Sequence, residues 1–125
     1  MIVTGKKQAG FTLIELIVVL LIISVLAGIV SPVVVSSLDR ARESALKENL
    51  YIMRKTLDDY YADRGNYPSS LEQLVDEDYM RSIPDDPFLK NNESWVLSYD
   101  DEGGISDVHS AYDEVANDGS YYRDW

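Results

Sequence analysis

The chain has 125 residues with no cysteine and one histidine, and its 11 basic residues face 22 acidic ones, for a formal net charge of −11. That composition excludes a disulfide framework, a zinc site of several imidazoles and thiolates and a Cys/His nucleophile. It also makes nucleic acid a poor partner, because phosphate binding needs a basic face. The length leaves room for one small domain beside whatever the apolar front of the chain forms.

From Leu16 to Leu38 there is no charged residue, and about 20 residues at 1.5 Å each cross a bilayer core of about 30 Å. This stretch is therefore expected to be a membrane helix. A lone carboxylate, Glu15, stands at its start, and an ionised, unpaired carboxylate in hydrocarbon costs roughly 2.5 to 3.5 kcal/mol. An α-amine four residues away would compensate it if the chain were cut between Gly10 and Phe11. Lys6 and Lys7 would hold such a leader on the cytoplasmic side. An ordinary secretory signal has a shorter apolar region and a small-residue cleavage site, which Val25-Leu26-Ala27 matches poorly. A plain anchor accounts for the length but not for Glu15.

The run Lys6-Lys7-Gln8-Ala9-Gly10-Phe11-Thr12-Leu13-Ile14-Glu15 resembles the class III signal of type IV pilins and type II secretion pseudopilins. The resemblance implies that a prepilin peptidase cuts after Gly10 and N-methylates Phe11. It also implies that Glu15 pairs with the α-amine of a neighbouring copy during assembly. With the leader gone, Lys6 and Lys7 leave, and nine basic against 22 acidic residues remain.

Pro32 lacks an N–H and would clash with the carbonyl of Gly28 one turn earlier. A kink or a locally unwound segment over Gly28 to Pro32 is expected, the alternative being a proline tolerated in a membrane helix without further role. In the resemblance this is the part of the helix that can melt on assembly. From Asp39 the composition turns charged, while Leu46, Leu50, Met53, Leu57 and Tyr60 recur at spacings of 4, 3, 4 and 3. They form one narrow apolar stripe, read as packing against the rest of the chain in preference to a separate partner groove. The other face carries Arg40, Arg42, Glu43, Lys47, Glu48, Lys55, Asp58 and Asp59, with Glu43 and Lys47 in the favourable i,i+4 order. One helix is thus predicted from Phe11 to Asp63, roughly 80 Å at 1.5 Å per residue.

Arg64-Gly65-Asn66-Tyr67-Pro68 should stop this helix, with Gly65 as its C-cap. Ser69 or Ser70 can cap a short second helix, Leu71 to Val75. Ser94 to Tyr99 and Ile105 to Ser110, joined by Asp100-Asp101-Glu102-Gly103-Gly104, read as a β-hairpin, which becomes stable when packed on a helix. The last stretch is rich in turn residues. His109 lies near Asp107 and Ser110 but reads as a solvated loop residue, not as part of a triad. Tyr60-Tyr61 and Tyr121-Tyr122 fit core or interface packing better than electron transfer.

Asp63-Arg64-Gly65-Asn66-Tyr67-Pro68, then Leu71 and Leu74, then Ile83-Pro84-Asp85-Asp86-Pro87-Phe88 is similar to the pattern DxGxYP…L…L…IPxDPW of the major pseudopilin family of type II secretion systems. Phe88 stands where that family usually has Trp, and Leu89-Lys90 replaces its following glycine. The resemblance implies a tail loop that binds Ca²⁺ through carboxylates and backbone carbonyls, here with Asp113, Asp118 and Asp124 as the side-chain ligands; Ca²⁺ suits such a loop because it takes six to eight oxygens in flexible geometry. The alternative is a solvated acidic surface.

The expected organisation is a leader (1–10), a transmembrane and filament-core helix (11–38), an amphipathic continuation (39–63) and a small C-terminal domain (64–125). The expected fold is α+β and pilin-like, a long N-terminal α-helix with a small antiparallel β-hairpin domain packed on its C-terminal half. The resemblance implies a non-enzymatic structural protein held in the bacterial inner membrane before assembly, its C-terminal domain in the periplasm. It would polymerise with copies of itself into a periplasmic pseudopilus that drives type II secretion. Prepilin peptidase, the inner-membrane assembly platform and minor pseudopilins would be its partners, and nucleic acid would not. The competing readings are a type IV pilin in a surface filament and a non-polymerising anchored binding domain.

Overall fold

The computed structural model describes Gly10 and Thr12 to Trp125. Its first element is a 52-residue helix, α1, Leu13–Arg64. Thr12 starts it: the Thr12 hydroxyl accepts the Glu15 amide at 3.1 Å and the Thr12 carbonyl accepts the Leu16 amide at 3.2 Å. Gly65 ends it with φ +75°, the left-handed conformation that costs glycine little, and its amide donates to the Tyr61 carbonyl at 2.8 Å. Pro32 lies inside α1, and helical backbone runs through Gly28 to Pro32. The locally unwound alternative is therefore not what the backbone adopts. One missing N–H is tolerated because the turns on either side keep the helix in register.

By its internal contacts the chain divides into two units, one ending at Asp39 and the other running from Arg40 to Trp125. In the first, the described side chains from Leu13 to Leu38 are all exposed. Among the described residues α1 is the one helix long and apolar enough to cross a membrane.

The second unit has a core built on the predicted stripe. Leu46, Leu50, Met53, Leu57 and Tyr60 are all buried, and each such side chain contributes roughly 1.5 to 3 kcal/mol relative to exposure. Helix α2, Leu71–Asp76, is capped by Ser70, whose side chain accepts the Gln73 amide, and it adds Leu71 and Leu74 to the cluster. Strands β1, Val96–Tyr99, and β2, Ile105–His109, pair antiparallel with Val96 opposite His109 and Leu97 opposite Val108, and the register shifts at Ser98/Tyr99. Ile105 and Val108 carry the hairpin into the core. The hairpin is fixed to the loop before α2 by the Ile105 amide on the Pro68 carbonyl at 2.8 Å. At Gly104 a Cβ would stand 2.7 Å from the Tyr67 Cβ, so that approach requires glycine. The segment ends in a 3₁₀ turn, Tyr122–Asp124. The fold is α+β and pilin-like, as expected.

Candidate assembly site and tail loop

Glu15 stands in the first turn of α1, three residues after the Thr12 cap, in the T-x-x-E arrangement of a capping box. The positive end of the helix dipole favours a carboxylate there, so the helix itself supplies part of the compensation that a bilayer withholds. The signal for this cap is local, Thr12 and Glu15 three positions apart, and it complements the expectation of an amine partner. Beside Glu15 an apolar concavity is lined by Ile14, Val18 and Val19. Gly10 is exposed; Phe11 and the rest of the leader lie outside the described residues, and so does the scissile bond.

The tail folds over the exposed side of the second unit through contacts that sequence reasoning does not find. Arg54, set at the edge of the stripe next to Met53, donates from Nε to Asp107 Oδ1 at 2.9 Å. Its Nη2 reaches the Val108 carbonyl at 2.9 Å and the Trp125 carbonyl at 2.6 Å. Burial alone would push the Asp107 carboxyl up, but the Val108 amide and the Arg54 guanidinium hold it below its ordinary range. His109 is half-buried on β2, with Nε2 3.2 Å from Asp107 Oδ2 and Nδ1 3.2 Å from the Trp125 carbonyl. It is not a solvated loop residue, because residues two apart in a strand share a face and Asp107 therefore stands beside it. Ser110 points elsewhere: buried, it donates to the buried Asp86. No triad forms from Asp107, His109 and Ser110.

Asp86 is the acid of the Ile83-Pro84-Asp85-Asp86-Pro87 motif. Its Oδ1 also accepts the Phe88 and Leu89 amides, at 2.8 and 3.2 Å, which sets the turn that delivers Phe88. Phe88 stacks on Tyr112 at 4.6 Å and 8° and lies 4.5 Å from Tyr122, which in turn meets Trp125 edge-on at 4.9 Å. These rings redirect the helix charges. Glu43 Oε1 accepts the Tyr122 hydroxyl at 2.6 Å, and the Lys47 ammonium lies 4.6 Å from the Trp125 ring centre. The expected Glu43–Lys47 pair is replaced because each side chain has a partner on the tail.

The three expected calcium ligands are not brought together. Asp113 pairs with Arg123 at 3.0 Å. Asp118 Oδ1 accepts the Ser120 amide at 2.9 Å and its hydroxyl at 2.6 Å, and these two bonds hold the Asp118 carboxyl below its ordinary range. Asp124 is exposed in the 3₁₀ turn. Among the described residues no group of three or more Asp, Glu, His or Cys side chains could hold a metal ion. The side chains present thus do not fit a ready-made carboxylate cage. Ser120 instead ties the loop to the last aromatic residue, accepting the Trp125 indole N–H at 2.7 Å, while Gly119 takes φ +89° between Asp118 and Ser120.

Residues 5–31 match the family model of the prokaryotic N-terminal methylation motif. The chain is 32% identical to the type II secretion system core protein G of Escherichia coli (strain K12), over 84% of this chain and 81% of that protein. It is 34% identical to the core protein G of Pseudomonas aeruginosa, over 66% of this chain and 70% of that one, and 30% identical to that of Vibrio cholerae, over 80% and 77%. No solved structure matches it. With the long helix, the capped apolar start and the hairpin domain all in place, these similarities show that the chain belongs to the type II secretion system core protein G family.

Proposed function

We propose that the chain is a structural, non-catalytic protein that polymerises into a pseudopilus serving type II secretion. The observation that carries this reading is the exposed apolar surface of α1 from Leu13 to Leu38 in a member of this family. Such a surface is covered by lipid before assembly and by helices of other copies afterwards. The methylation motif supports prepilin peptidase as the processing partner, with the cut between Gly10 and Phe11. Glu15 then supplies the carboxylate that the Phe11 amine of a neighbouring copy neutralises, and Pro32 marks where α1 can yield during assembly. Before assembly the chain sits in the inner membrane with its second unit in the periplasm, in reach of an assembly platform and minor pseudopilins. The surface-pilus reading is not favoured, because the relatives are secretion-system proteins. Deleting the gene and comparing secreted proteins with surface filaments tests the proposal. Loss of a set of secreted proteins is expected, and unchanged secretion with loss of surface fibres would contradict it.

A further inference from the structure

In the second unit a groove of about 590 Å³ opens between α1 and the tail. Its floor and walls combine two aromatic rings, Tyr51 and Trp125, with the stems of Lys47, Arg54 and Lys55. Tyr51 is 63% exposed. The groove holds three cationic side chains against two carboxylates, Asp58 and Asp118, on a chain with twice as many acidic as basic residues. Arg54 is paired with Asp107 and Lys55 with the exposed Asp59, so the groove is an apolar site whose rim carries Lys47 and a solvent-exposed Lys55 on an otherwise acidic domain.

The same domain carries a surface of the opposite kind. The strand alternation that points Leu97 towards the core would send Tyr99 after it, but the register shift between Ser98 and Tyr99 re-aims the side chain, leaving Tyr99 58% exposed. Immediately beyond comes the acidic turn. Asp100 closes it by accepting the Glu102 and Gly104 amides at 3.1 and 2.8 Å, whereas Asp101 and Glu102 are exposed and make no ion pair among the described residues. An exposed tyrosine beside two such carboxylates is the complement of two rings beside lysines.

We propose that the groove at Tyr51 and Trp125 receives the Tyr99–Glu102 end of the hairpin from a second copy of this chain, with Lys55 and Lys47 meeting Asp101 and Glu102. The inference rests on the filament reading above and adds to it a named contact between the exposed domains. Copies in a filament are related by a screw rotation and not by a two-fold axis, so on the filament reading the groove-to-hairpin contact is head-to-tail. It does not close a two-fold dimer and leaves a free groove and a free hairpin at the ends for further copies.

The absence of cysteine makes the test direct. Full-length Lys55→Cys/Asp101→Cys, expressed in cells that assemble the filament, should give a ladder of disulfide-linked oligomers on mild oxidation, while neither single variant gives a ladder. Charge reversal provides the second arm: Lys55→Glu and Asp101→Lys should each lower filament yield severalfold, and combining them should restore it. Among the described residues Lys55 bonds only the exposed Asp59, at 3.1 Å, so loss of fold is not the expected cause. Filaments that form normally from the double-cysteine chain but never cross-link would overturn the contact and leave the filament reading intact. Absence of filaments from the unaltered chain would overturn both.

Discussion

The two units of this molecule solve the same problem in opposite ways. Up to Asp39 the chain is a helix of apolar residues with no core of its own, every described side chain from Leu13 to Leu38 being exposed. From Arg40 onward α1 has a single apolar stripe, and α2, the hairpin and the tail bury it. The difference teaches that burial in the first unit must come from outside the chain, whereas the second is satisfied within it. A monomer in water is therefore half of a structure, and lipid or other copies supply the rest.

The comparison can be broken most severely at Glu15. Glu15→Ala should leave membrane insertion intact and abolish filament assembly, read as loss of sheared filaments from cells with normal levels of the protein; filaments in normal amount would mean that Glu15 does no more than cap the helix. Within the second unit, a soluble fragment beginning at Arg40 should fold without the first. Leu57→Ala in that fragment should lower its stability by about 2 to 5 kcal/mol, measured by urea denaturation, whereas Leu20→Ala in the full-length chain should leave this domain's unfolding unchanged. Arg54→Ala removes three hydrogen bonds at once and leaves a half-buried carboxylate behind, for an expected loss of about 1 to 3 kcal/mol. Arg54→Lys should recover little of it, because one ammonium cannot reproduce the guanidinium fork.

Asp107 sharpens the same contrast through pH. Its carboxyl is held below the ordinary range in the folded state, so its contribution is complete above the unfolded value of about 3.9 and is lost as pH falls through the folded one. Asp107→Asn should flatten the acid limb of the fragment's stability curve below about pH 4 and change little at pH 7 beyond a constant offset. The smallest expected effect is that of calcium. With Asp113 on Arg123 and Asp118 on Ser120, replacing calcium by chelator should leave the melting midpoint where it is. A rise with calcium that Asp118→Ala erases would show that the cation itself gathers Asp113, Asp118 and Asp124.

Most of the fold is legible in the sequence because it is written in local terms. The stripe from Leu46 to Tyr60 has the helical period, Gly65 can take the left-handed conformation cheaply, and Ser70 is followed by Gln73 as a cap requires. The hairpin boundaries are equally local, set by β-formers on either side of an acidic glycine turn. What escapes is long-range. Arg54 looks like any solvated helix residue until Asp107, Val108 and Trp125 are brought to it across more than 50 residues of chain. His109 reads as solvated for the same reason, since its environment comes from the tail. Glu43 and Lys47 satisfy a local rule, but two rings more than 70 residues away make stronger claims on them. The Thr12-x-x-Glu15 box, by contrast, is local and visible, yet the carboxylate's cost in lipid points first to a partner on another chain.

The measurement that tests the central claim most directly is the accessibility of α1 in filaments released from the membrane. A single cysteine at Val19, in a chain that has none of its own, should resist a membrane-impermeant thiol reagent in sheared, lipid-free filaments, while a cysteine at the exposed Asn92 reacts fully. Equal labelling at both positions would contradict the account, because it would show that copies of the chain do not cover the surface that a single copy leaves bare.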